Sequence, residues 1–280
     1  MSDKSEKRHV GQYVASGDWS DYWTTQISQA QGGKINVRGY PVEELIAQLS
    51  YSQSAFLILK GELPDDREAA LFDLILRSGM DQQFISAAAG AARFTASASP
   101  ESAIPALASG MLASGSITGS PQEPAEMMIE SLSLDLDDGA ACKATIKTWL
   151  ERRGAVPGFG HPIHKEGEPR AITVRRLAKD LDGWGPHGQR LDAIEAELET
   201  LKSKKIPINL AGALGAILAD LNFDPLIIGG LGALTYGMSL LAHITEEIRE
   251  GVPLRIIPDA LGANYIGPGE RHLPDQSSKP

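Results

Sequence analysis

Apolar residues recur at helical spacing along most of this chain. Leu191, Ile194, Leu198 and Leu201 fall on one face of an amphipathic helix over 189–204. Leu231, Leu234, Met238, Leu241, Ile244 and Ile248 do the same over 230–250. That helix carries many small residues, so the pattern predicts burial on several sides. A helix over 65–79 opens with Asp65 and Glu68, a variant of the capping box, and runs through Leu71, Leu74 and Ile75 to Gly79. Another spans 140–153, with Gly154 as its C-cap. Alternation of the strand kind is confined to Lys34-Ile35-Asn36-Val37-Arg38, directly after Gly32-Gly33, which predicts a short hairpin. The fold class expected is therefore all-α with a short N-terminal β-hairpin.

Polar composition at the two ends predicts a disordered tail over 1–20 and a flexible one over 271–280. No internal repeat is visible. Pro121-Gln122-Glu123-Pro124 and the stretch 219–225 are the candidate boundary loops.

With 280 residues and 42% hydrophobic positions, the chain suffices for one large domain or two modest ones with a real core. The net charge of −10 argues against a nucleic-acid partner, since phosphate binding wants a basic face. A small anionic ligand remains compatible with it through the arginines and lysines between Arg152 and Arg176. The most apolar stretch, 226–244, is broken by four glycines and His243, so no membrane partner is expected. The first ten residues lack the apolar core of a secretion signal. Cys142 is the only cysteine, which excludes an internal disulfide and fits a reducing cytoplasm.

The densest chemical signal is Val156-Pro157-Gly158-Phe159-Gly160-His161-Pro162, followed by Glu168-Pro169-Arg170. Glycines let a backbone approach a ligand closely. A histidine beside them can donate to a substrate oxygen or take a proton from it near neutral pH. An arginine nine residues on offers a planar fork to a carboxylate. Taken by residues alone, the same pattern also describes a turn carrying a surface histidine.

Pro157-Gly158-Phe159-Gly160-His161 with Glu168-Pro169-Arg170 resembles the signature of the citrate synthase superfamily. Further blocks resemble that family in the same order: Thr25-Gln26-Ile27-Ser28 with Val37-Arg38-Gly39-Tyr40-Pro41, Gly61-Glu62-Leu63-Pro64, Leu241-Ala242-His243-Ile244-Thr245-Glu246-Glu247, and Asn264-Tyr265-Ile266-Gly267-Pro268. The chain's length and Pro207-Ile208-Asn209-Leu210-Ala211-Gly212 look closest to short bacterial citryl-CoA lyase-like proteins.

The resemblance implies a large helical domain from 21–120 and 220–270, a small helical domain from 121–219, and a homodimer or higher homo-oligomer. It implies an acyl-CoA and a small carboxylic acid or carbonyl compound as ligands. No cofactor is tightly bound; coenzyme A belongs to the substrate. His161 becomes the catalytic histidine that polarises the keto or hydroxyl oxygen. Arg170 becomes the carboxylate-binding arginine, with Asn209 also at the substrate. Pro157, Gly158, Phe159 and Gly160 would run along coenzyme A, and Lys205 would approach its phosphates, although a solvated helix end is the simpler reading of Lys202, Lys204 and Lys205.

Three positions depart from the family pattern. Ala211 stands where the family's aspartate is found. Ser86 to Arg93 carry no histidine, and none lies between His9 and His161. Tyr236 stands where the last helix usually brings an arginine. A positioned acid or base is worth roughly 10²–10⁴-fold in rate, so ordinary condensation, which needs a base for the acetyl methyl group, should suffer. The expectation is a lyase that releases acetyl-CoA from a β-hydroxyacyl-CoA, or the related condensation, with His161 accepting the hydroxyl proton. The alternative is a catalytically reduced homologue that binds an acyl-CoA or a carboxylic acid in a regulatory or scaffold role; acyl-CoA hydrolysis is a third reading.

Other residues draw bland readings. The pair His161 and His164 lacks supporting ligands for a metal. His243 reads as a satisfied core or interface histidine, Arg38 as structural, and Cys142 as inert. Arg93 has the chemistry to reach a phosphate or carboxylate. Glu246 and Glu247 read as a solvated or interfacial helix end.

Overall fold

A computed structural model describes residues 8–115, 119–262 and 264–273. In chain order its helices are α1 (Val10–Ser16), α2 (Val42–Gln48), α3 (Tyr51–Lys60), α4 (Asp66–Ser78), α5 (Ala87–Ala98), α6 (Ala103–Leu112), α7 (Gln122–Leu132), α8 (Asp138–Arg153), α9 (Pro169–Asp180), α10 (Pro186–Lys202), α11 (Leu210–Asp220), α12 (Pro225–Thr235) and α13 (Gly237–Glu250). The strands are β1 (Ser28–Gln31), β2 (Lys34–Val37) and β3 (Tyr40–Pro41), in one antiparallel sheet of order β1-β2-β3. The all-α class with a small N-terminal sheet is the observed one.

The local signals act as expected. Asp65 accepts from the Glu68 N–H at 2.7 Å, and Glu68 accepts from the Asp65 N–H at 3.0 Å, which closes the capping box of α4. Gly154 takes a left-handed φ of 71° and caps α8 by donating to the Leu150 carbonyl at 2.9 Å. Gly32 and Gly33, at φ 62° and 78°, form the two-residue turn that pairs Gln31 with Lys34. Arg38 is structural: its Nε and Nη2 donate to the Ile58 carbonyl at 3.0 and 2.6 Å and pin the hairpin to α3.

The chain separates into two compact units, 1–80 with 115–236, and 81–114 with 237–280. In the first, α11 is the central helix and packs against α7, α9 and α10. Every residue from Gly212 to Ala219 is buried. Its composition, apolar on all sides, leaves it no solvent face. Each fully buried side chain such as Ile217 is worth about 1.5–3 kcal/mol of burial. Gly215 lets α7 approach: an added Cβ would stand 2.7 Å from the Pro121 carbonyl oxygen. At the far end of α11, Lys60 Nζ donates to the carbonyls of Leu221 and Asn222, both at 3.0 Å, satisfying the helix terminus with a cation. Asp220 accepts from the N–H groups of Gly185, His187 and Gly188 and caps α10 from outside that helix. One helix thus ties several neighbours together, and its N-terminus meets the His161 loop.

In the second unit α5 and α6 pack closely through small residues. A Cβ on Gly110 would lie 2.9 Å from Leu240 Cδ1 and 3.1 Å from the Ala88 carbonyl oxygen. Glu247 on α13 is buried between Arg93 and Arg255, accepting from Arg93 Nε at 2.6 Å and from the Arg255 guanidinium.

Several expectations are revised. The stretch 1–20 contains α1, whose Tyr13 is buried in a cluster with Trp19 and Tyr22; residues 1–7 and 274–280 of the expected tails lie outside the described residues. The single helix over 230–250 is two, broken at Tyr236, with Gly237 opening the second. Pro225–Glu250 together has the length and mean hydropathy (1.5) of a membrane span, but it is divided at that break. Both candidate boundary loops fall inside the first unit rather than between units. Pro121 and Pro124 are buried against Gly232, Gly215 and Gly158, so they are packing residues, not a linker. Glu247 is no solvated helix end but a buried ion-pair partner. Arg93 is spent on Glu247 and His243, whose Nδ1 lies 3.3 Å from its Nη1. His243 also meets Asp81 at 3.2 Å, as a satisfied histidine. Cys142 is buried, and burial pushes its thiol pKa up.

Candidate functional site

The loop that carries His161 is held by a short piece of antiparallel pairing with the segment before α11. Phe159 pairs with Ile208. The Gly160 N–H donates to the Pro207 carbonyl at 2.7 Å, and the Asn209 N–H donates to the Gly158 carbonyl at 3.0 Å. Glu195 on α10 supports the second segment, accepting from the Ile208 N–H at 2.8 Å through Oε1 and from Arg175 at 2.9 Å through Oε2.

The glycines serve this closeness. A Cβ on Gly158, whose φ is 86°, would stand 2.9 Å from Gly212 Cα. One on Gly212 would stand 2.4 Å from the Gly158 carbonyl oxygen. The loop therefore lies directly on the first turn of α11. The glycine requirement expected from a ligand is met at Gly158 by the protein's own backbone. At Gly160 the need is conformational, with φ at 72° and only an ordinary contact for an added Cβ.

His161 is fixed by what its ring accepts. The backbone N–H groups of Ile163 and His164 both donate to Nδ1, at 3.2 and 3.1 Å. A nitrogen that accepts two N–H donors carries no proton, so the neutral ring bears its hydrogen on Nε2. Burial holds the imidazole pKa below its ordinary value; the Glu168 carboxylate opposes that, and His164, Arg170 and Lys165 add to it. The result is a neutral imidazole that donates from Nε2. The expected acceptance of a hydroxyl proton does not fit this tautomer, because protonation would have to displace the two backbone donors from Nδ1. The ring of His164 lies beside it, 4.7 Å between centroids and inclined by 39°.

Glu168, only 2% exposed, belongs to the motif read in the sequence but was given no role there. Its Oε1 accepts from Arg170 Nε at 2.6 Å and forms an ion pair with Nη2. Its Oε2 accepts from the Leu210 N–H at 2.8 Å, the first N–H of α11. One buried carboxylate thus orients the arginine and satisfies a helix N-terminus. The signal available was its place just before Pro169-Arg170.

The remaining expected site residues divide. Asn209 uses both ends of its amide on the protein, accepting from the Gly212 N–H at 3.0 Å and donating to the Gly160 carbonyl at 3.0 Å. It is the N-cap of α11 and a tie for the loop. Ala211 follows in the first turn of α11 and supplies no carboxylate. Pro157 and Phe159 are half-buried, with Phe159 against the core. Lys205 is exposed and lies 3.7 Å from Glu166. Tyr236 is buried at the C-cap of α12. The basic residues between Arg152 and Arg176 are largely met by protein carboxylates: Arg152 by Glu130, Arg153 by Glu123, Arg175 by Asp192 and Glu195, Arg176 by Asp180. Among the described residues no group of three or more His, Cys, Asp or Glu is placed to hold a metal ion.

Comparison with known proteins agrees with this architecture. The family model "Citrate synthase, C-terminal domain" matches residues 64–257. The solved structure of citryl-CoA lyase from Hydrogenobacter thermophilus superposes with a TM-score of 0.83 at 30% identity, over 92% of this chain and 99% of that one. ATP citrate lyase from Methanosaeta concilii, solved with (3S)-citryl-CoA, gives 0.74 at 21% identity, over 96% of this chain and 47% of that one, a likeness of fold. The 2-methylcitrate synthase of Mycobacterium tuberculosis is 51% identical over 51 residues, which is 18% of this chain; the match spans 13% of that relative's length.

Proposed function

Because the chain belongs to the citrate synthase family, we propose that it is a carbon–carbon lyase that releases acetyl-CoA from a β-hydroxyacyl-CoA, or runs the reverse condensation. The observation that carries this reading is the pair of backbone N–H donors on His161 Nδ1, which sets the ring hydrogen on Nε2. Cleavage of such a substrate turns a hydroxyl oxygen into a carbonyl through a developing alkoxide. A neutral Nε2–H donor aimed at that oxygen stabilises it without giving up its proton, as one member of an oxyanion hole does. A donor of this kind is worth roughly 10²–10³-fold in rate.

Arg170, held flat by Glu168, binds the carboxylate of the acid half. Pro157, Gly158, Phe159 and Gly160 line the path of coenzyme A, with Lys205 near its phosphates. Tyr236, in place of a cation, suits an acid with fewer carboxylates than citrate, or a neutral carbonyl partner. Asn209 acts by positioning the loop. No tightly bound cofactor is needed, because the chemistry is proton and electron-pair movement within the substrate. A soluble cytoplasmic homodimer completes the proposal. Ile104 and Leu112 of α6, 76% and 87% exposed, and Met238 of α13 are apolar surface suited to a second copy. Similarity to the Hydrogenobacter citryl-CoA lyase and to the Methanosaeta enzyme solved with citryl-CoA supports an acyl-CoA substrate.

Ala211 favours a second reading, a catalytically reduced homologue that binds an acyl-CoA or a carboxylic acid and regulates or scaffolds. Incubation with a panel of β-hydroxyacyl-CoAs separates the two. The lyase releases acetyl-CoA from at least one of them, and His161→Ala releases it roughly 10²–10³-fold more slowly. Binding of the panel with no release of acetyl-CoA from any member contradicts the lyase reading and supports the second.

A further inference from the structure

The locked tautomer of His161 leaves a gap in the chemistry just proposed. Something must take the hydroxyl proton, and His161 does not. Glu168 has both oxygens engaged as acceptors, one by Arg170 and one by the Leu210 N–H. Glu166 is fully in solvent beside Lys205. Position 211 is alanine. His187 is taken up by Asp220, with its Nδ1 at 2.8 Å. Among the described residues one titratable ring stands against His161: that of His164, half-buried, with its centre 4.7 Å away and its plane inclined by 39°.

We propose that His164 is a catalytic base and acid, taking the proton of the substrate hydroxyl and returning it to the acetyl carbon while His161 holds the oxygen. This rests on the lyase reading above. The assignment requires that a substrate oxygen held about 3 Å from His161 Nε2 also lie against the His164 ring, whose centre is 4.7 Å from that of His161. The backbone adds to the pairing: the His164 N–H is one of the two donors that fix His161 Nδ1. The same residue therefore sets its neighbour's tautomer through its main chain and offers its side chain to the same oxygen.

The step balances without a co-reactant. The O–H bond breaks, its proton goes to a His164 nitrogen, and its electron pair forms the new C=O bond. The bond between the carbinol carbon and the acetyl CH₂ breaks, and its pair passes into the thioester as an enolate. His164 then gives the proton to the enolate carbon, which becomes the acetyl methyl group. The reverse sequence is a condensation.

The test uses the full chain and the acyl-CoA it turns over best. His164→Ala should lower kcat by roughly 10²–10⁴-fold with little change in KM for the acyl-CoA, and added imidazole should restore part of the rate. His164→Phe keeps a flat ring against His161; it should be as slow as the alanine variant and unresponsive to imidazole. Turnover at the wild-type rate by His164→Phe shows that the ring only packs, and overturns the assignment. Turnover at the wild-type rate by His164→Ala overturns it as well. The wild-type control separates this from failure of the lyase reading: a wild type that cleaves no member of the panel removes both, whereas an active wild type with an active His164→Phe removes the base alone.

Discussion

At His161 Nδ1, two backbone N–H groups share one lone pair, and this sets the direction in which the ring works. The ring donates outward from Nε2, and its partner arginine is set by Glu168. That pairing can be tested by Glu168→Gln. An amide has one acceptor oxygen and a donor group, so either Arg170 or the Leu210 N–H loses its acceptor, at a cost of about 1–3 kcal/mol. The expected outcome is a rise of about tenfold or more in KM for the acid in the condensation direction, with KM for the acyl-CoA nearly unchanged. Equal increases in both would mean that the site has collapsed rather than lost its arginine. His161 and Arg170 were legible in the sequence because a motif preserves residue types. The tautomer was not, since it follows from backbone groups that any residues at 163 and 164 except proline would supply.

Among the elements, the loop 156–162 and the N-terminus of α11 behave as one piece. Gly212 decides how closely they meet. Glycine within a helix normally costs about 1 kcal/mol relative to alanine, so Gly212→Ala in an open helix would stabilise. Here the new Cβ would lie 2.4 Å from the Gly158 carbonyl oxygen, and overpacking of this kind costs about 1–3 kcal/mol. The variant should melt at a lower temperature than wild type and lose turnover as the His161 loop is pushed away; a higher melting temperature with full activity would contradict the contact. Helices α4, α8 and α10 were readable from caps and apolar spacing, which are local properties. The break at Tyr236 was hidden because Leu231, Leu234, Met238 and Leu241 keep helical spacing across it. The pairing of Phe159 with Ile208 was hidden because it joins residues far apart in sequence.

On the scale of the whole molecule, the division into units depends on long-range packing. Pro121 and Pro124 looked like a linker by composition, yet they fill the space left by glycines on α11, α12 and the site loop. In the second unit the organising feature is Glu247 between Arg93 and Arg255. Burial alone would raise its pKa, but the hydrogen bonds and charges of Arg255 and Arg93 outweigh that and hold it below the usual carboxylate range. A carboxylate with a depressed folded pKa stabilises above its unfolded pKa, and this contribution is lost as pH falls through the folded one. Glu247→Gln should therefore cost about 3–5 kcal/mol at neutral pH, the penalty for breaking a buried ion pair, and the difference from wild type should shrink in acid; an unchanged denaturation midpoint would contradict the role. Whether the site cleaves a carbon–carbon bond is decided by measuring release of acetyl-CoA from a β-hydroxyacyl-CoA by wild type and His161→Ala, side by side. The wild type should release it, and the variant should be slower by roughly 10²–10³-fold. Release at equal rates by both, or by neither, would contradict the proposal.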